Sequence, residues 1–262
     1  MNIISLTTIP PRMDRIGDTL ASLLAQSLKP DRVILIIPKT YRREAYRYDA
    51  LPVVPAGVEV LVSDVDYGPA TKLLPTLRAF AGQEVNIVFC DDDRLYPRDW
   101  LSTLVENAKR HPHDCITVSG GLISQIEAYY RYINRPQPAF LAPLFRRLYA
   151  LKKRRPVAGG RADIVGGFGG VLVRPSFFDD AIFAIREEFI TLDDTWISGH
   201  LARSGVAIRI AEGAEIPAAR DVADVSSLKD FKRGAMNQNA IDVACIQYFR
   251  ETYDIWKPGE TA

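Results

Sequence analysis

The 262-residue chain has few cysteines, almost no excess charge and no long apolar run. Its three cysteines, Cys90, Cys115 and Cys245, are odd in number and widely spaced. That argues against a disulfide framework and a CxxC-type zinc site, and makes a reducing compartment the simplest expectation. Lys and Arg total 33 against 32 Asp and Glu, so there is no global basic field to grip nucleic acid. The longest aliphatic run, Val33 to Ile37, is five residues, where a spanning helix needs about 20. The opening Met1-Asn2-Ile3-Ile4-Ser5-Leu6 has no basic segment and reads as a strand rather than a signal peptide. No internal repeat or low-complexity tract is present. The expectation is a soluble cytoplasmic protein. At 47% hydrophobic and 25% charged residues, the chain has the balance of a globular protein that buries a core without staples.

Short aliphatic runs alternate with helical spacing in the first half. Strands are expected over 3–6, 32–37, 58–62, 86–90 and 115–118, and helices over 14–26, 69–80 and 97–110. This alternation predicts a mostly parallel sheet with crossover helices on both faces. The near-continuous apolar strands fit cover on both faces. Further on, the pattern predicts a Gly-rich strand pair over 164–173, helices over 175–185 and 194–203, a strand over 206–210 and an amphipathic helix over 237–253. The stretch 128–162 holds nine Lys or Arg, no Asp or Glu, and four prolines, and reads as an insertion or lid. Within 140–155, apolar residues at helical steps sit beside a basic cluster. That pattern suits either a solvated lid or a peripheral contact with anionic lipid.

Ligands of such sheets bind beyond the carboxyl ends of the strands. Asp91, Asp92 and Asp93 follow the fourth strand directly. Adjacent carboxylates repel one another and lower stability unless something cationic sits among them. In an extended segment Asp91 and Asp93 project to the same side. Two hard oxygen ligands on one side suit Mn²⁺ or Mg²⁺, which would leave positions open for phosphate oxygens. The alternative is that the triplet caps the following helix.

The triplet resembles the DxD motif of GT-A-fold glycosyltransferases, which use nucleotide-sugar donors. Ile4-Ser5-Leu6-Thr7-Thr8-Ile9-Pro10-Pro11-Arg12 is similar to their first strand and nucleotide loop. Leu20 to Gln26, followed by Pro30-Asp31-Arg32-Val33-Ile34-Leu35, is similar to a stretch of the family-2-like enzymes, and Phe89 to Pro97 to their DDDxxxP loop. The resemblance implies a single α/β domain of GT-A (Rossmann-like) type with a smaller acceptor-side region. Its parts would be a nucleotide-binding half (1–120), a basic insertion (121–163), an acceptor and catalytic half (164–236) and a C-terminal helix and tail (237–262).

It also implies roles. Asp91 and Asp93 would hold the ion, with Asp91 and Asp92 at the donor. Thr7, Thr8 and Arg12 would cradle the nucleotide, or merely order their own loop. Lys72, at the Gly68-Pro69 entry to a helix, would reach the diphosphate or base, and Asp66 is a candidate for the base or ribose. The Gly-rich segment around Gly167 would lie against the donor sugar; it lacks the residues of a phosphate loop. Asp193 and Asp194, opening a helix, would supply the general base of an inverting transfer, with one of the pair free to cap the helix. Trp196, on that same helix, suits core packing or stacking on a sugar face. His200 on that helix suits packing better than ligation. The expected substrates are a nucleoside-diphosphate sugar, UDP first, and a glycan or lipid-linked acceptor, as in polysaccharide synthesis. The competing readings are a retaining, exostosin-like enzyme, a nucleotidyltransferase and an inactive sugar-nucleotide-binding module.

Overall fold

Strands apolar at most positions need cover on both sides of the sheet, and two cores supply it. The computed structural model describes residues 1–43, 45–133, 158–220 and 238–257. The early strands are β1 (Asn2–Thr7), β2 (Arg32–Pro38), β3 (Val58–Ser63) and β4 (Asn86–Phe89). The short β5 (Arg94–Leu95) follows β4, and β6 (Cys115–Thr117), β7 (Gly120–Gly121), β8 (Arg161–Ala162) and β9 (Ile164–Val165) come next. The last are β10 (Val171–Val173), β11 (Ile208–Ile210) and β12 (Ala218–Ala219). Eight strands form one sheet in the order β3-β2-β1-β4-β10-β6-β11-β8. The first four run parallel, β10 runs antiparallel between β4 and β6, β11 is parallel to β6, and β8 is antiparallel at the edge. Two-stranded pairs β5–β12 and β7–β9 stand beside it.

The helices are α1 (Gly17–Leu24), α2 (Leu74–Ala79), α3 (Trp100–Arg110), α4 (Ile123–Ile133), α5 (Asp193–Arg203) and α6 (Gln238–Tyr253). Strand side chains alternate between faces. Ile3, Ile34, Ile36, Ile87 and Phe89 pack in one core with α2, α5 and α6. Ile4, Leu35, Ile37 and Val88 pack in the other with α1 and α3. The mostly parallel α/β sheet expected from the sequence is therefore present.

Three local expectations are corrected. The helix over 69–80 is a 3-10 turn, Gly68–Lys72, followed by α2. Pro75 has no N–H to continue one ladder, and the helix restarts at Leu74. In place of a helix over 175–185 there are 3-10 turns at Pro175–Phe177 and Asp180–Phe183. Phe178 is extended between them, and the Asp179 side chain accepts from Ala181 N, starting a fresh turn. Residues 164–173 do not form a strand pair with each other: β9 pairs with β7, and β10 enters the main sheet. The 3-10 turn Gly167–Gly169 carries the chain between them. The basic stretch 140–155, and most of the expected lid, lie outside the described residues. No described helix is long and apolar enough to cross a membrane.

Candidate active site

A cavity of about 760 Å³ opens at the carboxyl ends of β1 and β4. It is lined by Thr7, Thr8, Arg12, Asp66, Lys72, the acidic triplet, Asp193 and Asp194. Gly167 is the one predicted site residue that does not line it, and it lies directly behind. Its backbone N donates to Asp194 Oδ1 at 3.0 Å, and a Cβ built on it would come 2.6 Å from Lys72 Nζ. Residues from five separate stretches of sequence thus meet at one place.

Lys72 is at the centre. Only 4% exposed, it closes the 3-10 turn after β3. Its Nζ lies 2.6 Å from Asp91 Oδ1 and 2.6 Å from Asp193 Oδ2. Burial alone would push its pKa down, but Asp193, Asp91 and Asp194 together hold the ammonium well above its ordinary value. The entry to this turn is fixed by Asp66, whose Oδ1 accepts from Gly68 N at 2.7 Å. Gly68 has φ +59, and a Cβ there would meet Ile190 O at 2.5 Å, so only glycine fits. Asp66 Oδ2 also accepts from Arg42 N at 2.7 Å, and Arg42 pairs with Glu187 across the cavity mouth.

The repulsion expected within the triplet is relieved by three cations of the chain itself. Asp91 faces Lys72, Asp92 faces Arg12 at 2.7 Å, and Asp93 lies 3.5 Å from Arg12 and 3.4 Å from Arg94. Asp92 is buried. It accepts from the Thr8 hydroxyl, and its backbone O accepts from Thr19 Oγ1 at 2.9 Å. Burial raises its pKa, opposed by Arg12 and Thr8. Asp92, Thr8 and Arg12 therefore lock the loops after β1 and β4 together. The Thr7 hydroxyl donates to Ile36 O at 2.7 Å. The Asp91 peptide is clamped by Tyr96, whose hydroxyl accepts from Asp91 N at 3.0 Å and donates to Asp91 O at 2.9 Å.

The late acidic pair divides its partners. Asp193 pairs with Lys72, while both oxygens of Asp194 accept from Gly167 N. No side chain caps α5. The raised proton affinity of Asp194 comes first from burial and then from Asp193, with Lys72 opposing. Trp196 is in the core, with Nε1 donating to Ile182 O at 2.9 Å. His200 is buried among Trp196, Phe249 and Tyr253, away from the cavity, and burial lowers its pKa to about 4.

The sequence reading missed three residues. Asp242 of α6 lines the cavity and accepts from Thr195 Oγ1 at 2.8 Å; burial raises its pKa to about 6. Its signal was a lone carboxylate beside Ile241 on an amphipathic helix. Arg94 and Phe168 also line the cavity, with the guanidinium 4.9 Å from the ring centroid.

Among the described residues, no three His, Cys, Asp or Glu side chains converge as an all-protein metal cage would need. Mg²⁺ and Mn²⁺ do not require one, being commonly held by one or two carboxylates with phosphate oxygens completing the shell. Among the described residues Asp93 Oδ1 is buried without a hydrogen-bond partner, and Asp91 is a third exposed at the cavity wall. These carboxylates are the oxygens such an ion would take, with Lys72 already 2.6 Å from Asp91 Oδ1.

Two similar solved structures are S. aureus TarS and S. aureus TarS 1–349 in complex with UDP. The first is 12% identical, with TM-score 0.48 over 85% of this chain and 37% of that one. The second is 13% identical, with TM-score 0.44 over 81% of this chain and 58% of that one. The chain thus spans less than two thirds of either TarS chain. No curated protein matches it. The model of Glycosyl transferase family 2 matches residues 12–176, from Arg12 of the β1 loop past the acidic triplet to Ser176, just beyond β10. That is more than half of the sequence, and the chain belongs to Glycosyl transferase family 2.

Proposed function

We propose that the chain transfers a sugar from a nucleoside diphosphate to an acceptor hydroxyl with inversion, as one GT-A-like domain. Membership of the family supports the reaction class. The observation that carries the mechanism is Lys72, which joins the acidic triplet to the late acidic pair across the cavity floor.

Asp194 is the general base. Asp193 is committed to a buried ion pair with Lys72. Asp194 receives one backbone N–H and has a raised proton affinity, which suits a carboxylate that must take the acceptor's proton. Asp91 and Asp93 would hold Mn²⁺ or Mg²⁺, an ion that neutralises a diphosphate and lets it leave. Asp92, Thr8 and Arg12 keep the nucleotide loop in place, and Asp66 holds the rim through Arg42. The acceptor enters from the side of α5 and α6, where Asp242 stands. A lipid-linked or glycan acceptor, and a peripheral membrane contact through 140–155, belong to this reading.

A thermal-shift panel of nucleoside diphosphates, beginning with UDP, with and without Mn²⁺ tests the donor side. Stabilisation that needs both one base and the metal, and that Asp93→Ala removes, is the expected result. No shift with any diphosphate overturns the reading. NMR of the glycosidic linkage formed tests inversion; a retained configuration points to the exostosin-like alternative.

A further inference from the structure

Among the described residues five cations line the cavity: Arg12, Arg42, Arg43, Lys72 and Arg94. Four of them hydrogen-bond to the protein. Arg12 donates to Asp92, Arg42 to Asp66 and Glu187, Arg43 to the Tyr46 hydroxyl, and Lys72 to Asp91. Arg94 differs. Among the described residues its Nε is buried without a hydrogen-bond partner, and its contact with Asp93 Oδ1, at 3.4 Å, leaves that oxygen unsatisfied too. A buried charged donor without an acceptor is costly, so such a group persists where a ligand supplies the acceptor.

The residue is nonetheless held firmly. Its backbone pairs with Ala219 of β12, its carbonyl accepts from Thr19 Oγ1 at 2.9 Å, and its guanidinium lies over Phe168. A planar fork laid on a ring face is a pre-organised receptor for phosphate oxygens.

We propose that Arg94, backed by Phe168, is the side chain that binds the donor's diphosphate, the task the sequence suggested for Lys72. The inference rests on the glycosyl-transfer reading. It makes Phe168 of the Gly-rich turn a positioning residue for the phosphate site, and leaves Lys72 to hold the carboxylates.

Calorimetric binding of UDP, GDP, ADP, CDP and dTDP, with NMR titration of the parent nucleosides, tests it on the full chain. For whichever diphosphate the wild type binds, Arg94→Gln weakens binding at least 10-fold and leaves nucleoside affinity unchanged. Arg94→Lys falls between, keeping the charge and losing the fork. Phe168→Leu, which leaves the guanidinium in place but unbacked, weakens the diphosphate by a smaller factor. Diphosphate binding undiminished in Arg94→Gln, or an equal loss of nucleoside binding, overturns the role of Arg94 while leaving glycosyl transfer standing. A wild type that binds none of the five diphosphates overturns both.

Discussion

Lys72 Nζ lies 2.6 Å from Asp193 Oδ2, although 121 residues (193 − 72) separate the two in sequence. The same nitrogen is equally close to Asp91, so one buried ammonium ties the end of β4 to the start of α5. Removing it leaves carboxylates uncompensated in a buried place. Lys72→Met should cost about 3–5 kcal/mol of stability, read by urea unfolding. Adding Asp193→Asn should restore part of that loss. A double-mutant cycle giving purely additive effects would mean the pair does not interact.

Asp194→Asn should lower kcat by about 10²–10⁴-fold with little change in donor KM, as expected for loss of a general base. The base works unprotonated, so the wild-type rate should climb as pH rises. Because burial and Asp193 raise the proton affinity of Asp194, that climb lies above the ordinary carboxylate range. The pH–rate profile of the wild type checks this; a plateau already reached at pH 4 would refute it.

His200 and Asp242 should pull stability in opposite directions below neutrality. His200 titrates near 6.5 unfolded and about 4 folded, so its contribution is complete above 6.5 and is lost as pH falls towards 4. Asp242 titrates near 3.8 unfolded and about 6 folded, so its burial penalises the fold above pH 6 and is relieved as pH falls towards 3.8. Each effect is about 3 kcal/mol at most. Relative to wild type, His200→Phe should gain stability on acidification from pH 6.5 to 4, and Asp242→Asn should lose it. Denaturant unfolding at several pH values measures both.

Gly167→Ala should harm turnover more than folding. The added methyl group would sit 2.6 Å from Lys72 Nζ and 2.7 Å from Asp194 Oδ1, so both must shift. A 1 Å displacement of a catalytic group costs up to about 10²-fold in rate. Gly17→Ala is the contrast. Among the described residues nothing lies within 4 Å of its Cβ, and it opens α1, so a small gain of about 0.5 kcal/mol is expected. Melting curves and initial rates on the two variants separate the cases.

The order of strands and helices was legible because its cause is local. Apolar runs such as Val33 to Ile37 must be covered on both faces, and Pro and Asp mark their ends. The acidic triplet and the Asp193–Asp194 pair were legible too, since unusual charge beside an apolar element stands out in a one-dimensional reading. The break at Pro75 is written there too, as a residue with no backbone N–H inside the 69–80 span. The antiparallel entry of β10 between β4 and β6 was not visible, because a three-residue strand carries no mark of its neighbours.

The sequence by itself therefore determined the layered α/β class and the two acidic clusters. Only the tertiary structure decided which cation meets which carboxylate: Lys72 between Asp91 and Asp193, Arg12 with Asp92, and Arg94 left over Phe168. It alone brought Asp242 to the cavity wall. The reason is the range of the forces. Hydrophobic period and backbone propensity act over a few residues. A hydrogen bond or buried ion pair acts over about 3 Å of space, between groups that chain order leaves a hundred residues apart.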